Sequence, residues 1–387
     1  MSPTLSATRP ASVEECAAAL AEANAKGRTV RIRGAGTKDY LGDLAGTDTA
    51  IETTALSGIV AHVPADLTVT VRAGTRLREV RAALANAGQM LPLDPPHDDA
   101  ATIGGIVAAN STGFRRARYG GVRDLLIGTT YVLADGSVAH AGGRVVKNVA
   151  GYDLNKVLIG SLGTLALIVE CTFKVLPLPA ATAGLRARFT TPADAFALCD
   201  AVARTSARPA ALALEGRGRS EWSVVVEAVG DPAAVERTLA IASDAAGHAK
   251  VERVDDSEGA LAPLRDIVNE TAGAVVRASL PPAAQLAFAD AAQHLEGFAR
   301  LVADAASGVV RVHVRGDDDE VIVAADALLA AARAVGGAAR VERRAERLRT
   351  RIPAWGDGDL PGLFLMRRLR AEFDPKGILE PGRGPVR

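Results

Sequence analysis

The sequence predicts an α+β protein in which an N-terminal domain is followed by a cap-like second domain. Up to about residue 180 the chain is dense in glycine and β-branched residues and breaks into short segments. From about 181 to 345 it is alanine-rich, and candidate strands and helices follow twice in the order β-α-β-β-α-β, the order of a ferredoxin-like unit. Glycine, proline and aromatic residues then return. We therefore predict domains at 1–180 and 181–345, with 346–387 as a C-terminal segment that returns to the first domain.

Caps, alternation and turns place the elements of the first domain. Ser12 and Glu15 form a capping box that predicts a helix over 13–26. The pair Asp135-Gly136 between two strand-like runs predicts a hairpin. The remaining predicted elements are strands at 29–33, 59–63, 68–72 and 165–175 and a helix at 77–87.

The second domain is predicted as two ferredoxin-like units side by side, which makes one broad sheet. The first unit takes strands at 185–189, 211–215, 222–228 and 250–254 and helices near 192–204 and 231–246. The second takes strands at 275–280, 299–303, 309–315 and 338–342 and helices near 282–296 and 317–335. The arginine-rich run that follows, at 342–351, is expected to be a solvated helix face or a subunit contact rather than a nucleic-acid patch.

The composition excludes several classes of protein. The chain has 387 residues with 45 Lys and Arg against 45 Asp and Glu, so no net charge steers it onto nucleic acid. Three widely separated cysteines without a CxxC exclude a disulfide scaffold and a cysteine-rich metal or iron–sulfur site. The sequence has no apolar run of about 20 residues and no signal-peptide pattern at its start, so we expect no membrane span and a cytoplasmic location.

Five glycine-containing stretches stand out, and the first of them carries residues suited to a phosphate. Small residues after a strand let several backbone N–H groups converge on an anion, because no Cβ blocks the approach. A lone GxG is equally typical of an ordinary turn, and here it does not open a helix, which disfavours a nicotinamide-binding Rossmann motif. In the second stretch, 106–109 predicts the first turn of a helix whose N-terminus faces an anion or a ring edge. The stretches are 33–38, 91–110, 110–124, 143–168 and 373–383.

In this order and at these separations, the five stretches resemble the FAD-binding domain of the vanillyl-alcohol oxidase (PCMH-type) flavoprotein family. The run VKNVAGYDLNKVLIGSLGT at 146–164 is similar to the E-type FAD-binding subunits of glycolate oxidase within it. The resemblance covers about 1–180 and 346–387. The matching segments are RGAGT at 33–37, PLDP at 92–95, TIGG at 102–105, AAN at 108–110, RYG at 118–120, GYDL at 151–154, GSLGTLALI at 160–168 and FDPKGILEPG at 373–382.

The resemblance implies a two-subdomain PCMH-type domain that binds FAD, with an α/β cap, and 381–383 returning to the flavin side. It also implies which residues contact FAD. These are Gly34, Ala35, Gly36 and Thr37 at the pyrophosphate, Asp94 and Pro95 near the flavin, Thr102, Ile103, Gly104 and Gly105 along the isoalloxazine and pyrophosphate, Asn110, Gly113, Tyr119 and Gly120 beside them, and Gly163 and Ile168 at the adenosine half.

The sequence departs from the family pattern at several points. Ala166 stands where glycine is usual, which narrows the adenine slot, and Glu380 replaces a common Asn. No histidine lies in the glycine loop that bonds covalently to the flavin in some relatives, so we expect non-covalent FAD. The cap lacks the GDGNLH-like stretch that helps hold a metal in relatives that oxidise 2-hydroxy acids. We expect His313 on a solvated strand face and no metal site, since no HxxH pair occurs.

Oxidation of a 2-hydroxy acid would transfer a hydride from the substrate α-carbon to FAD, and the substrate carboxylate would need a cation. By residue type and location the candidates are Arg118, Arg123, Lys147 and Tyr152, with His97 as a candidate base. Each also fits a loop-packing or surface role, so no catalytic residue is assigned.

Two functions follow from the resemblance. The first is the FAD-binding oxidoreductase subunit of a glycolate oxidase-like 2-hydroxy-acid dehydrogenase. The second is an FAD-binding relay or scaffold subunit whose catalytic site comes from a partner chain, which the missing cap histidine favours. A member of the family without cofactor is the third alternative. The expected partners are FAD, a small 2-hydroxy acid, a flavin catalytic subunit and an iron–sulfur subunit, through which the chain would lie peripherally at the inner membrane.

Overall fold

The chain folds into two units, seen in a computed structural model that describes residues 6–43, 45–143, 152–356, 360 and 362–386. Unit 1 comprises Met1–Thr112, Gly120–Leu178 and Gly358–Arg387, and unit 2 comprises Gly113–Tyr119 and Pro179–Asp357. The main division therefore lies at 178/179, where the sequence predicts it at 180/181.

The elements are numbered in chain order. The strands are β1 (Ser6–Thr8), β2 (Val30–Arg33), β3 (Thr49–Glu52), β4 (Ile59–Val63), β5 (Thr68–Arg72), β6 (Gln89–Met90), β7 (Leu126–Val132), β8 (Val138–Gly142), β9 (Leu167–Lys174), β10 (Leu176–Pro177), β11 (Ala181–Phe189), β12 (Ala211–Arg217), β13 (Glu221–Gly230), β14 (Lys250–Val254), β15 (Ala274–Ser279), β16 (Phe298–Asp304), β17 (Val309–Val314) and β18 (Ala338–Arg344). The helices are α1 (Val13–Ala25), α2 (Leu77–Ala85), α3 (Ile103–Ala109), α4 (Arg116–Tyr119), α5 (Val122–Leu125), α6 (Asn155–Leu158), α7 (Pro192–Ala203), α8 (Pro232–Ala245), α9 (Ser257–Arg265), α10 (Gln285–Gln293), α11 (Asp318–Ala334) and α12 (Leu363–Phe373).

Unit 1 contains two main sheets. The parallel sheet has the order β1-β3-β2, and the antiparallel sheet has the order β4-β5-β9-β7-β8. The predicted cap of α1 is confirmed, because the Ser12 side chain accepts the Glu15 N–H at 3.1 Å. The C-terminal segment lies beside β2, where Val30 N donates to Ile378 O at 2.8 Å and Glu380 N donates to Val30 O at 2.9 Å. The end of the chain is thereby held next to the loop that follows β2.

Unit 2 is built on one antiparallel sheet of eight strands in the order β14-β11-β13-β12-β16-β17-β15-β18. Each half places its four strands in the ferredoxin-like order, and β12 pairs with β16 to join the halves. The predicted double β-α-β-β-α-β pattern is therefore confirmed. Helices α7, α8, α10 and α11 bury their apolar residues on one face of this sheet. On the other face, α9 and Phe114 pack against residues of β12, β13 and β16.

The structure corrects the predicted limits of the C-terminal segment. Residues 346–357 belong to unit 2 rather than to the C-terminal segment, because Leu348 and Ile352 are buried in the core of unit 2. Ion pairs hold the same stretch to α11, from Arg347 to Asp318 at 2.6 Å and from Arg351 to Asp319 at 2.5 Å.

The arginine-rich run is also not the solvated helix face that the sequence predicts. It begins inside β18, where Glu342 is only 5% exposed. Only residues 342–344 of the run belong to this strand, and Arg344 among them is itself only 6% exposed.

Candidate cofactor site

A cleft with about 640 Å³ of empty volume, part of it open to solvent, lies in unit 1. It is bordered by the loop after β2, by α3, by the segment that leads into β9 and by Arg383. Most of the lining residues are small or apolar, so backbone atoms form much of its wall. Of the predicted FAD-binding residues, the cleft brings together Gly34, Ala35, Gly36, Thr37, Thr102, Gly104, Gly105, Gly163 and Ile168.

The loop after β2 presents backbone atoms to the cleft. A Cβ on Gly34 would lie 2.2 Å from Thr102 Oγ1, and Gly36 has a φ of +75°, so both positions require glycine. Among the hydrogen bonds of the described residues, none is donated by the backbone N–H groups of Ala35, Gly36 or Thr37. These three donors are therefore available to an anion such as a phosphate.

Helix α3 forms a second wall of the cleft, and it starts earlier in the sequence than predicted. It begins at Ile103 rather than at 106, and its first two amides are already bonded, from Ile103 N to Thr75 O at 2.9 Å and from Gly104 N to Ala73 O at 2.8 Å. The expectation that the N-terminus of this helix faces an anion is therefore wrong for these two amides. A Cβ on Gly104 would lie 2.8 Å from Ala73 Cβ, so glycine lets the helix pack directly against the end of β5.

The segment that leads into β9 closes the third side. Leu162 and Gly163 both have positive φ, at 56° and 79°, and Leu162 N donates to Ala108 O of α3 at 2.8 Å. Ala166 and Ile168 are buried and line the cleft. The methyl group of Ala166 thus forms part of the cleft wall.

A buried ion pair lies beneath the loop after β2. Glu380 is 2% exposed, accepts the Ile32 N–H at 2.7 Å, and lies 3.2 Å from the Arg383 guanidinium. Arg383 in turn donates to Lys38 O at 2.8 Å, and the Lys38 ammonium donates to Pro96 O at 2.8 Å. Burial raises the pKa of Glu380, and the Arg383 cation opposes that rise. The carboxylate at position 380 therefore has a defined partner, which the sequence did not show.

Five other predicted FAD contacts of unit 1 are not brought to the cleft lining. Ile103 is fully buried in the core, and Asp94 and Pro95 are buried in the loop before α3. Asn110 ends α3 with a φ of 48°, and Gly120 has a φ of +83° with Asp124 against it. Each of these residues is buried or has a backbone conformation that the fold requires. Contact of these residues with FAD stays a prediction.

The remaining two predicted contacts, Gly113 and Tyr119, belong to unit 2 and do not line the cleft. Phe114 between them is 3% exposed in an apolar cluster of unit 2. Arg115 binds the fully buried Glu227 through Nε at 2.8 Å and Nη2 at 2.7 Å. This anchoring fixes the segment in unit 2, although the sequence places it among the cofactor motifs.

The candidate substrate-binding residues are not gathered at the cleft either. Arg118 donates to Arg208 O at 3.0 Å within unit 2, and Tyr152 is 95% exposed. Arg123 is exposed, and Lys147 lies outside the described residues. His97 has a φ of 56° and its ring lies 6.4 Å from that of Tyr40.

His313 is buried, so the expectation of a solvated strand face is wrong for it. It is 5% exposed, and its Nε2 lies 2.6 Å from Ala272 O, which satisfies the ring within the sheet. Within the described ranges, no group of three or more His, Cys, Asp or Glu side chains could hold a metal ion.

Several residues at the cleft were missed by sequence reasoning. Lys38 and Arg383 lie at the ends of two of the glycine-containing stretches, so the motifs pointed near them without assigning a role. Thr53 follows the end of β3 and Ala73 follows the end of β5. Both line the cleft because of where these two strands end. Nothing in their local sequence marks them.

These features fit a dinucleotide cofactor, since open amides and two cations suit a pyrophosphate and the glycine positions leave room for it. Comparison with known proteins identifies the class. Residues 5–142 match the family described as FAD binding domain. The matched stretch therefore carries an FAD-binding domain, and the cofactor is FAD.

Its curated relatives include subunits of glycolate oxidase. The chain is 44% identical over 156 residues to glycolate oxidase subunit GlcE of Escherichia coli (strain K12), which covers 40% of this chain and 44% of that one. It is 40% identical over 114 residues to glycolate oxidase subunit GlcD of Bacillus subtilis (strain 168), with coverage of 30% and 24%. It is 35% identical over 199 residues to a D-lactate dehydrogenase of Archaeoglobus fulgidus, with coverage of 51% and 44%. The chain thus matches less than half the length of each of these relatives.

Solved structures share the fold at low identity. p-Cresol methylhydroxylase with substrate bound superposes with a TM-score of 0.75 at 16% identity, over 98% of this chain and 88% of that one. An alkyldihydroxyacetonephosphate synthase gives a TM-score of 0.73 at 16% identity, over 97% and 76%. The predicted α+β fold class with a PCMH-type domain is therefore confirmed. No helix within the described ranges has the length and apolar character needed to cross a membrane.

Proposed function

We propose that this chain is the FAD-binding oxidoreductase subunit of a 2-hydroxy-acid dehydrogenase of the glycolate oxidase type. The observation that carries the proposal is the cleft of unit 1, whose glycine positions and open amides suit the pyrophosphate of FAD. The relatives named as glycolate oxidase subunits and as a D-lactate dehydrogenase support a 2-hydroxy acid as the substrate class.

In the proposed site each group has a physical task. The N–H groups of Ala35, Gly36 and Thr37 bind the pyrophosphate, and the Lys38 and Arg383 cations lower the free energy of the negative charge. Glu380 holds the Arg383 guanidinium against the Lys38 carbonyl, which keeps the loop in its shape.

The apolar side of the cleft has a different task. Ala166 and Ile168 give the adenosine half of the cofactor an apolar wall and exclude water from it. Bound in this way, FAD supplies the two-electron acceptor for the hydroxyl-bearing carbon of the substrate.

We also propose that FAD is held without a covalent bond. None of the described residues that line the cleft is a histidine or a cysteine. Acid precipitation of the purified protein should therefore release all flavin into the supernatant. Flavin that stays with the precipitated chain would contradict this part of the proposal.

The activity is tested by mixing the FAD-loaded chain anaerobically with glycolate or D-lactate. We expect the flavin absorbance to bleach, because the substrate reduces FAD, and we expect acetate to leave it unchanged, because acetate has no hydroxyl to oxidise. Flavin that no 2-hydroxy acid bleaches, with or without the partner subunits, would overturn the proposed substrate class.

A second function, that of a relay or scaffold subunit, is supported by a separate observation. Neither Arg118, which donates to Arg208 O, nor the exposed Tyr152 contributes to the cleft lining. The same anaerobic experiment separates the two functions. Bleaching by the isolated chain supports the oxidoreductase subunit, and bleaching only after a partner subunit is added supports the relay.

A further inference from the structure

A row of arginines crosses the second half of the unit 2 sheet on the face opposite helices α10 and α11. Arg277 of β15 pairs directly with Arg311 of β17 on one side and with Arg340 of β18 on the other. Directly paired residues share a face of a sheet. Arg311 also pairs with Val302, which packs with α9 on that same face. The three guanidinium groups therefore lie together beyond the part of the face that α9 covers.

A single buried carboxylate lies among these arginines. Glu342 accepts from Arg311 Nε at 2.6 Å, but it is 4.0 Å from Arg277 Nε and 3.7 Å from Arg340 Nη2. The latter two distances are too long for hydrogen bonds. Burial would raise the pKa of Glu342, but the three surrounding guanidinium groups overcome this and lower the pKa to about 2. The carboxylate is thus ionised at neutral pH, and of these three arginines Arg311 alone lies within hydrogen-bond distance of it.

The hydrogen-bonding capacity of the other two arginines is largely unused within the described chain. Arg277 Nη1 donates to Ser279 Oγ at 3.2 Å, and Arg340 Nε is buried without an acceptor among the described residues. Burial lowers the pKa of Arg277 to about 10, and the neighbouring cations add to that effect against Glu342. Both side chains remain reachable by a small solute, since 23% and 28% of their surfaces are exposed.

We propose that Arg277 and Arg340 form a binding site for the carboxylate of a small organic acid on the open face of the unit 2 sheet. A guanidinium presents parallel N–H groups that match the two oxygens of a carboxylate. A bound carboxylate supplies the acceptors that Glu342 is too far away to supply and reduces the repulsion within the row. That the natural ligand is a 2-hydroxy acid rests on the proposed function, whereas the site itself does not.

The structure also provides an optical reporter for this site. The Arg340 guanidinium lies 5.1 Å from the ring centroid of Trp355. The chain has only two tryptophans, and the other, Trp222, is 2% exposed in the core of unit 2. An anion that binds Arg340 should therefore change the fluorescence of Trp355 and leave that of Trp222 unchanged.

The experiment titrates the FAD-loaded full chain with oxalate, a carboxylate that cannot reduce flavin, and follows tryptophan fluorescence. We expect a saturable change that Trp355→Phe abolishes. In Arg277→Met the dissociation constant should rise at least about tenfold, because a charge-assisted contact is lost. Arg277→Lys keeps the positive charge but lacks the parallel N–H groups of a guanidinium. Its dissociation constant should therefore lie between those of wild type and Arg277→Met. Arg253→Met is the matched control, since Arg253 is an exposed arginine of β14 that is paired with Glu236.

Three outcomes decide the proposal. No saturable change, or equal binding by wild type and Arg277→Met, would overturn it. Tighter binding of inorganic phosphate than of oxalate would overturn the carboxylate assignment. If Arg277 is only a structural partner of Glu342, Arg277→Met should lower the melting temperature. We expect that temperature to be unchanged or raised, because the variant removes one of several crowded cations.

The proposed function has an independent readout. If 2-hydroxy acids never bleach the flavin but oxalate binding still depends on Arg277, the proposed function fails and this site stands. If glycolate bleaches the flavin with the same KM in wild type and Arg277→Met, the site fails as a substrate site and the proposed function stands.

Discussion

In the two proposed sites, the two units present different parts of the chain to an anion. In the cleft of unit 1 the donors are backbone N–H groups, and the nearby charges are held by contacts such as that between Glu380 and Arg383. On the open face of unit 2 the donors are guanidinium groups carried by three neighbouring strands. Glycine positions determine where backbone N–H groups are accessible to a ligand. Strand register determines which side chains lie next to one another on a sheet. The site in unit 1 should therefore be sensitive to added volume and the site in unit 2 to changes in charge.

The largest expected effect tests the ion pair beneath the cleft. Glu380→Ala leaves the buried Arg383 guanidinium and the Ile32 N–H without their shared acceptor. We expect unit 1 to lose about 3–5 kcal/mol of stability and FAD binding to weaken with it. The measurement is the melting temperature with and without FAD.

The matched control for this change is Glu22→Ala, which breaks an exposed pair with Lys26 and should leave the melting temperature nearly unchanged. Glu380→Gln keeps a side-chain oxygen that can accept the Ile32 N–H. Its melting temperature should therefore lie between those of Glu380→Ala and Glu22→Ala. Equal melting temperatures for Glu380→Ala and Glu22→Ala would show that the ion pair does not support the cleft.

The second prediction concerns the charge balance in unit 2. The folded pKa of Glu342 is about 2 and lies below its ordinary value, so its contribution to stability is present above the ordinary pKa and is lost as pH falls toward 2. Glu342→Gln should therefore cost unit 2 about 3 kcal/mol at pH 7, and the difference from wild type should shrink in acid. Calorimetric melting across pH measures it.

Glu252→Gln on β14 is the control for this prediction, because its pairs with Arg186 and Arg188 are partly exposed. At pH 7 the melting temperature of this variant should differ only slightly from that of wild type. A Glu342→Gln deficit that stays constant from neutral pH down to acid would contradict the assigned ionisation.

The third prediction adds volume to the cleft. The Cβ of Gly34→Ala would lie 2.2 Å from Thr102 Oγ1, so the loop or Thr102 must move. We expect a cost of about 1–3 kcal/mol in FAD binding, read from the dissociation constant. Gly46→Ala meets nothing within 4 Å and should bind FAD normally. If the clash is the cause, adding Thr102→Ala should recover part of the thermal stability lost in Gly34→Ala.

The smallest expected effect removes a methyl group from the same cleft. Ala166→Gly removes this methyl group and widens the cleft, so FAD affinity should change by less than about 1 kcal/mol. The variant should also be about 0.5–1 kcal/mol less stable, because glycine loses more backbone entropy on folding. A larger loss of FAD affinity would show that the Ala166 methyl group makes an essential contact.

The same contrast between the units explains what the sequence could predict. Glycine requirements are local, so Gly34, Gly36, Gly104 and Gly163 could be found from motifs, and alternation gave nearly every strand of the second domain. The row through Arg277 could not be found, because its members lie on separate strands and only the register brings them together.

Tertiary packing accounts for other placements that the sequence did not show, while the contacts of Gly113 and Tyr119 with FAD stay predictions. Gly113 and Tyr119 lie within a cofactor-like motif, yet the burial of Phe114 and the Arg115–Glu227 pair place them in unit 2. The partner of Glu380 was hidden for a related reason. Although Arg383 is only three residues away, the position of Glu380 is set by its backbone bond to Val30 O and its side-chain bond to Ile32 N–H of β2, which is distant in sequence.

We propose that backbone N–H groups of the loop after β2 hold FAD. Amide hydrogen exchange of the apoprotein and the FAD-loaded protein tests it directly, in a peptide that covers residues 34–38. We predict that exchange of the Ala35, Gly36 and Thr37 amides slows markedly once FAD is bound, while the Arg277 region is unchanged. Unchanged exchange at these three amides in a chain that visibly holds FAD would contradict the account.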